Sequence, residues 1–270
     1  MRKKFFPVLL AGTLLLLMAA VPGMVNADHA WGNYHWARSS NPVSLELGDN
    51  VSSTWDSHLA LATADWDKST VLALTVAGGA AKGRCQPTEG RIEVCNDFYG
   101  SNGWLGLAQI WVSGEHIAQA TTKVNDTYFS APPYNTSEWR QMVMCQEVGH
   151  DFGLDHQDEN FDNANLGTCM DYTSDPSTNQ QPNRHDYDEL EIIYSHLDGG
   201  SGGGGGGNGN CPPKGNKPGC NGNGIFGPGS GELHSQREWG QLVRAEGRTA
   251  VFERDFGGGN RVFTFVIWAD

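Results

Sequence analysis

Positive charge is scarce in this chain of 270 residues: 18 Lys and Arg stand against 31 Asp and Glu, for a formal net charge of −13 at pH 7. That balance argues against nucleic acid and against an anionic membrane surface as partners, because both are gripped through clustered cations. Internal repetition is missing too, which removes solenoids and repeat arrays. Between residues 199 and 231 the chain has almost no side chain that a core could use. It is built there from Gly, Asn, Pro and Ser, beginning "GGSGGGGGGNGN", the composition of a flexible linker.

These gaps divide what remains. Arg2, Lys3 and Lys4 precede an apolar run from Phe5 to Val21, and Val25-Asn26-Ala27 supplies small residues where a signal peptidase cuts. Residues 1–27 are therefore expected to be a signal peptide, leaving a secreted, extracellular protein with no membrane contact after cleavage. An uncleaved anchor is the competing reading, since the run nearly spans a bilayer; Pro7, Pro22, Gly23 and the small-residue exit weigh against it. Loss of the three basic residues takes the net charge to about −16, which favours solubility. Residues 28–198 are long enough for one good core, and residues 232–270 form a short tail. The sequence carries no signal for an oligomeric state.

Six cysteines, an even number, fit an oxidising compartment and suggest disulfides. Pairing of neighbours would join Cys85 to Cys95, Cys145 to Cys169 and Cys211 to Cys220, one of about fifteen possible connectivities.

Several elements can be placed from pattern alone. Trp55, Leu59 and Ala62 follow serines able to cap, which predicts an early helix. "TVLALTVAGG" is an apolar run closed by glycines and reads as a buried strand. "GWLGLAQIWVSG" and "EHIAQATTKVND" read as two strands that reverse at Ser113-Gly114, with Trp104 and Trp111 in the core. A further helix is expected to start after Pro132-Pro133, capped by Asn135 with Glu138, and to run to about Phe152. The last helix is marked by Asp186 and Glu189 in capping-box relation, with Tyr187, Leu190, Ile193 and Leu197 on one face. In the tail, "TAVFERDF" and "RVFTFVIW" flank Gly257-Gly258-Gly259-Asn260 as a β-hairpin; because a lone hairpin is marginal in water, it is expected to dock on something, self-associate or capture a ligand, with docking or a structural role preferred to substrate binding.

The chemistry concentrates in "MCQEVGHDFGLDHQDE", Met144 to Glu159. On a helix, residues 146 and 150 are one turn apart and reach the same point. Glu147 lies beside them. Gly153 permits a bend that brings His156 in from a third direction. Set beside the pattern H-E-x-x-H-x-x-G-x-x-H, the stretch matches at Glu147, His150, Gly153 and His156, and has Gln146 in place of the first histidine. Fourteen residues after His156 comes Met170, in "TCMDYT", with Tyr172 two residues later.

These residues resemble the extended zinc motif and the Met-turn of the metzincin metallopeptidases. The similarity extends over roughly Val71 to Leu197 and leaves the linker and tail uncovered. It implies an α+β fold: a catalytic domain with a twisted mixed sheet, an active-site helix and a C-terminal helix, followed here by a Gly-rich linker and a small β tail. The implied cofactor is zinc, held by Gln146, His150 and His156. The implied activity is hydrolysis of a protein or peptide substrate with Glu147 as general base. Tyr172 is implied as a further ligand or an oxyanion stabiliser, and Met170 as the structural residue beneath the metal. A substrate strand is expected to lie antiparallel on the edge of "EHIAQATTKV". The departure at Gln146 leaves three readings open: a peptidase with an amide-oxygen ligand, a catalytically impaired binding protein that has lost zinc, and a hydrolase for some other bond.

Other residues are expected to play ordinary parts. His29, His35, His58, His185, His196 and His234 are taken as solvated, and His116 as a residue of the edge strand. Asp151, Asp155, Asp158, Glu159 and Asp162 are expected to form a solvated acidic loop rather than a calcium site. Residues 28–51 contain no cysteine and are too few for a folded latency segment.

Overall fold

The computed structural model describes residues 29–199, 233 and 235–269. The expected signal peptide, nearly all of the linker, the Cys211–Cys220 pairing and His234 lie outside the described residues. Among those described, no helix is long and apolar enough to cross a membrane.

The chain runs β1 (His35–Trp36), β2 (Val43–Asn50), α1 (Asp56–Trp66), β3 (Leu72–Gly78), β4 (Ile92–Asp97), β5 (Trp104–Ser113), β6 (His116–Asn125), α2 (Asp126–Phe129), α3 (Ser137–His150) and α4 (Arg184–Ile193). The tail adds β7 (Gln241–Glu246), β8 (Thr249–Gly257) and β9 (Asn260–Trp268). All strands belong to one mixed sheet in the order β3-β2-β4-β6-β5-β9-β8-β7, with β1 on β6. The pairs among β2, β3, β4 and β6 are parallel, whereas β5, β9, β8 and β7 continue antiparallel.

The α+β reading agrees with this architecture, and most helix and strand expectations hold with shifted ends; the exceptions are β3, an outer strand with Thr75 and Val76 exposed rather than a buried strand, and Leu197, which lies beyond the end of α4 and is exposed. Leu59, Ala62 and Trp66 are buried along α1, which has no side-chain cap: Trp55 occupies the N-cap position instead of a serine. On α3 the cap is Thr136, not Asn135. Its extended backbone lets the hydroxyl accept from the Trp139 N–H at 3.3 Å. The capping box of α4 sits one turn earlier than expected, between Asn183 and Asp186. Disulfides join Cys85 to Cys95 and Cys145 to Cys169.

One expectation fails outright: "EHIAQATTKV" is not an edge. β6 is bonded to β4 on one side and β5 on the other. Every residue from Ala120 to Asn125 is buried, the pattern of an inner strand covered on both faces, which cannot alternate inward and outward. β5 is likewise buried nearly throughout. Its far edge is occupied by β9, in a register that sets Ala108 opposite Phe265 and Ile110 opposite Phe263.

The predicted hairpin of the tail is present as β8 and β9, and it docks. Along β9, Phe263, Phe265 and Ile267 enter the main core beneath α1 and α3. Val262 and Val266 turn the other way, into a second core with Trp104, Leu107, Trp111, Trp239 and Phe252. The apolar strand β5 is thus shared by two cores, one of which the tail largely supplies.

Candidate metal centre

Gln146, Glu147 and His150 share the C-terminal half of α3. Gly153 then takes φ +94°, and a Cβ there would stand 2.1 Å from the Tyr34 carbonyl oxygen. Both facts require glycine at the bend. Gly153→Ala is therefore expected to lower stability by at least about 1 kcal/mol, read as the midpoint of a denaturant titration; an unmoved midpoint would show that the chain reroutes there at no cost. Beyond the bend, backbone bonds hold the returning segment: Asp155 N–H to His29 O at 2.6 Å, Gln157 N–H to Met170 O at 2.6 Å and Tyr172 N–H to Asp158 O at 3.1 Å. His156 is carried on that segment.

The two histidines meet. His150 Nε2 lies 3.0 Å from His156 Nε2. The His150 Nδ1–H donates to the Leu154 carbonyl at 2.9 Å, which leaves the Nε2 lone pair directed at the shared point. His156 Nδ1 is 2.6 Å from the Tyr172 hydroxyl. That hydroxyl therefore sits on the nitrogen turned away from His150, where it orients the His156 ring. Burial, the largest effect, holds His150 well below its usual pKa and takes His156 down to about 3. Both rings stay neutral, the form that binds a cation.

Gln146 is completely buried, and neither its amide oxygen nor its amide nitrogen has a hydrogen-bond partner. Leaving one such group unsatisfied costs about 1–3 kcal/mol, so an orphaned amide one turn from His150 calls for a ligand. Two neutral imidazole nitrogens and an amide oxygen suit a borderline divalent cation. Glu147 accepts a bond from the Ala108 N–H, while its Oε2 has no partner. Burial pushes this carboxyl well up, and Asp151 adds to the shift. Asp151 is itself fully buried, held by the Thr122 hydroxyl at 2.7 Å.

Met170 is completely buried beneath the motif helix. Its Sδ is 2.6 Å from where a Cβ on Gly149 would stand, so the missing side chain lets the methionine turn come up against α3. The Cys145–Cys169 disulfide ties the same two segments.

No family model matches this chain, and no curated protein matches it. Among solved structures, high choriolytic enzyme 1, a hatching-enzyme zinc protease from the medaka fish Oryzias latipes, is similar at 10% identity. The match covers 60% of this chain and 94% of that one, with a TM-score of 0.33. So loose an overlap carries no argument about chemistry, which rests on the residues themselves.

Some parts of the centre have no counterpart in the motif. The Phe265 ring of β9 stacks on His150, with centroids 4.4 Å apart and planes at 9°. Arg244 of β7 grips both oxygens of Asp155, one of them at 2.5 Å, and Glu159 at 3.1 Å. The Thr249 side chain of β8 hydrogen-bonds Tyr172. The tail thus packs against His150, Asp155, Glu159 and Tyr172, and Glu147 is only 1% exposed. The acidic segment departs from expectation in the same way: Asp151 and Asp155 are buried rather than solvated. So do His29 and His35, at 4% and 3% exposure. A scarce arginine is the one local hint of the tail's role, and it does not name its partner.

Proposed function

We propose that this chain is a secreted zinc-dependent endopeptidase acting on protein or peptide substrates, with Gln146, His150 and His156 holding the metal and Glu147 as general base. The observation behind this reading is the approach of two ring nitrogens to 3.0 Å beside the unpartnered Gln146 amide and the free Glu147 Oε2. A zinc ion held by these three residues would supply Lewis acidity, lowering the pKa of a water to about 7 and polarising a scissile carbonyl. The chain's own groups do the rest. Glu147 Oε2 takes a proton from the attacking water and delivers it to the leaving amine, while the Ala108 N–H fixes the other carboxylate oxygen. Leu154 and Tyr172 hold the two imidazoles in the required orientation.

The competing reading, an impaired binding protein, has one observation in its favour: β9 lies along β5 and Phe265 covers His150, so an extended peptide finds no free edge beside the centre. Elemental analysis of the mature protein separates the two. Zinc that is lost on His156→Ala supports the peptidase. Equal zinc in the natural chain and in His156→Ala, with a gain in Gln146→His, identifies a disarmed site. Because an imidazole replaces a neutral amide oxygen, Gln146→His is expected to tighten zinc binding by at least about tenfold.

A further inference from the structure

Two histidines taken as solvated in the sequence, His35 and His196, and His116 of β6 stand around one carboxylate oxygen. Asp198 Oδ1 lies 3.3 Å from His35 Nε2, 3.1 Å from His116 Nε2 and 3.4 Å from His196 Nε2. The rings of His116 and His196 each lie about edge-on to His35, with centroids 5.0 and 4.8 Å away. We propose that His35, His196 and Asp198, whose ligand atoms all lie within 4.8 Å of one another, form a second cation site, structural in character, for zinc or a similar borderline divalent metal, with the exposed His116 ring turning in from beside Asp198 as the fourth donor.

Four observations support this site. First, two ligands of one tetrahedral zinc, each bonded at about 2.0–2.1 Å, stand about 3.3 Å apart. The separations at Asp198 Oδ1 fall at that value. Second, the supporting bonds are already made. The His35 Nδ1–H donates to the Asn33 carbonyl at 2.7 Å, which leaves Nε2 as the free nitrogen. Asp198 Oδ2 accepts from the Arg38 N–H at 2.7 Å, and the Asp198 N–H returns a bond to the Arg38 carbonyl at 2.8 Å. The Arg38 side chain also donates to the His196 carbonyl at 3.1 Å.

Third, the fold aligns the donors. Pairing of β1 with β6 sets His35 opposite His116, and His196 and Asp198 follow the end of α4. Fourth, the site is open to solvent on one side: the side chains of His116 and His196 are 44% and 54% exposed, whereas His35 is 3% exposed. A cation can enter without unfolding the protein. With His116 turned in, four protein donors would leave no position for a substrate, which is the mark of a structural zinc. Such an ion would join β1, the start of β6 and the segment that follows α4.

The site is independent of the Gln146 centre, and so is its test. The untagged mature chain is stripped with chelator and titrated with Zn²⁺, then with Co²⁺ as a spectroscopic probe. One equivalent is expected to disappear in His116→Gln/His196→Gln, together with its cobalt d–d absorption and its share of the zinc-induced rise in melting temperature. The same equivalent should persist in His156→Ala. Both replaced side chains are about half exposed, so the fold should survive, as far-UV circular dichroism will show. Asp198→Asn, which keeps its place beside Arg38, provides a second variant, with zinc binding weakened by at least about tenfold. Equal uptake and equal cobalt spectra in the natural chain and in all three of these altered ligands, or no uptake at all outside the Gln146 centre, would overturn the proposal and leave an ion-pair cluster.

Discussion

A chain ending at Asp198 is expected to aggregate, and a separate peptide spanning residues 232–270 is expected to restore a soluble monomer. Removal of the tail would uncover Trp104, Leu107 and Trp111, all 3% exposed or less in the intact chain. It would also take Phe263, Phe265 and Ile267 out of the main core. Losing one buried phenylalanine to alanine typically costs about 3–5 kcal/mol, and whole domains are stable by only about 5–15 kcal/mol. The backbone argument points the same way. Without β9, the outer edge of β5 would present a long apolar row of unpaired N–H and C=O groups, a template for pairing with other chains. Size-exclusion chromatography of the two fragments, alone and mixed, measures this directly. A stable, monomeric chain 28–198 would show that the tail is an appendage, as its separation by a Gly-rich stretch suggests.

Glu147→Gln is expected to lower peptide hydrolysis by about 10²–10⁴ while leaving metal content unchanged. The substitution keeps the shape and an oxygen able to accept from the Ala108 N–H, and it removes the ability to take up a proton. Glu147 Oε2 has no other partner to satisfy, so a stability cost should not obscure the result. The natural chain must be assayed alongside, on peptides short enough to approach a centre over which Phe265 is stacked. Equal rates for the two proteins would remove the peptidase assignment. Unchanged zinc with abolished turnover would support it, because a group that serves only packing has no reason to separate those two readouts.

Features set by neighbours in sequence were legible in advance. The one-turn spacing of residues 146 and 150 places them on a common face because a helix has 3.6 residues per turn. Gly153 announced the bend, since only glycine accommodates the positive φ and the nearby Tyr34 carbonyl without strain. The Cys145–Cys169 bridge and the tail hairpin follow from short separations along the chain. Strand identity was readable for β5 and β6 as well. Strand order was not, because an apolar run on a doubly covered strand reads the same wherever it lies in the sheet.

What only the tertiary structure decided is which distant segments meet. Ala108 faces Phe265 across a strand pair, Arg244 grips Asp155, and His35 and His116 gather at Asp198. Those partners are separated by roughly 80 to 160 residues in the chain, far beyond the reach of helical or strand periodicity. A surface-type histidine and a ligand histidine have the same local pattern; convergence in space distinguishes them. Gln146, His150 and His156 were legible as candidate donors from local pattern, because one helix and one turn carry them. The tail's packing against that centre, and the second group of histidines, depend on long-range packing of β9 on β5 and β1 on β6, where burial of apolar area, not local propensity, selects the partner.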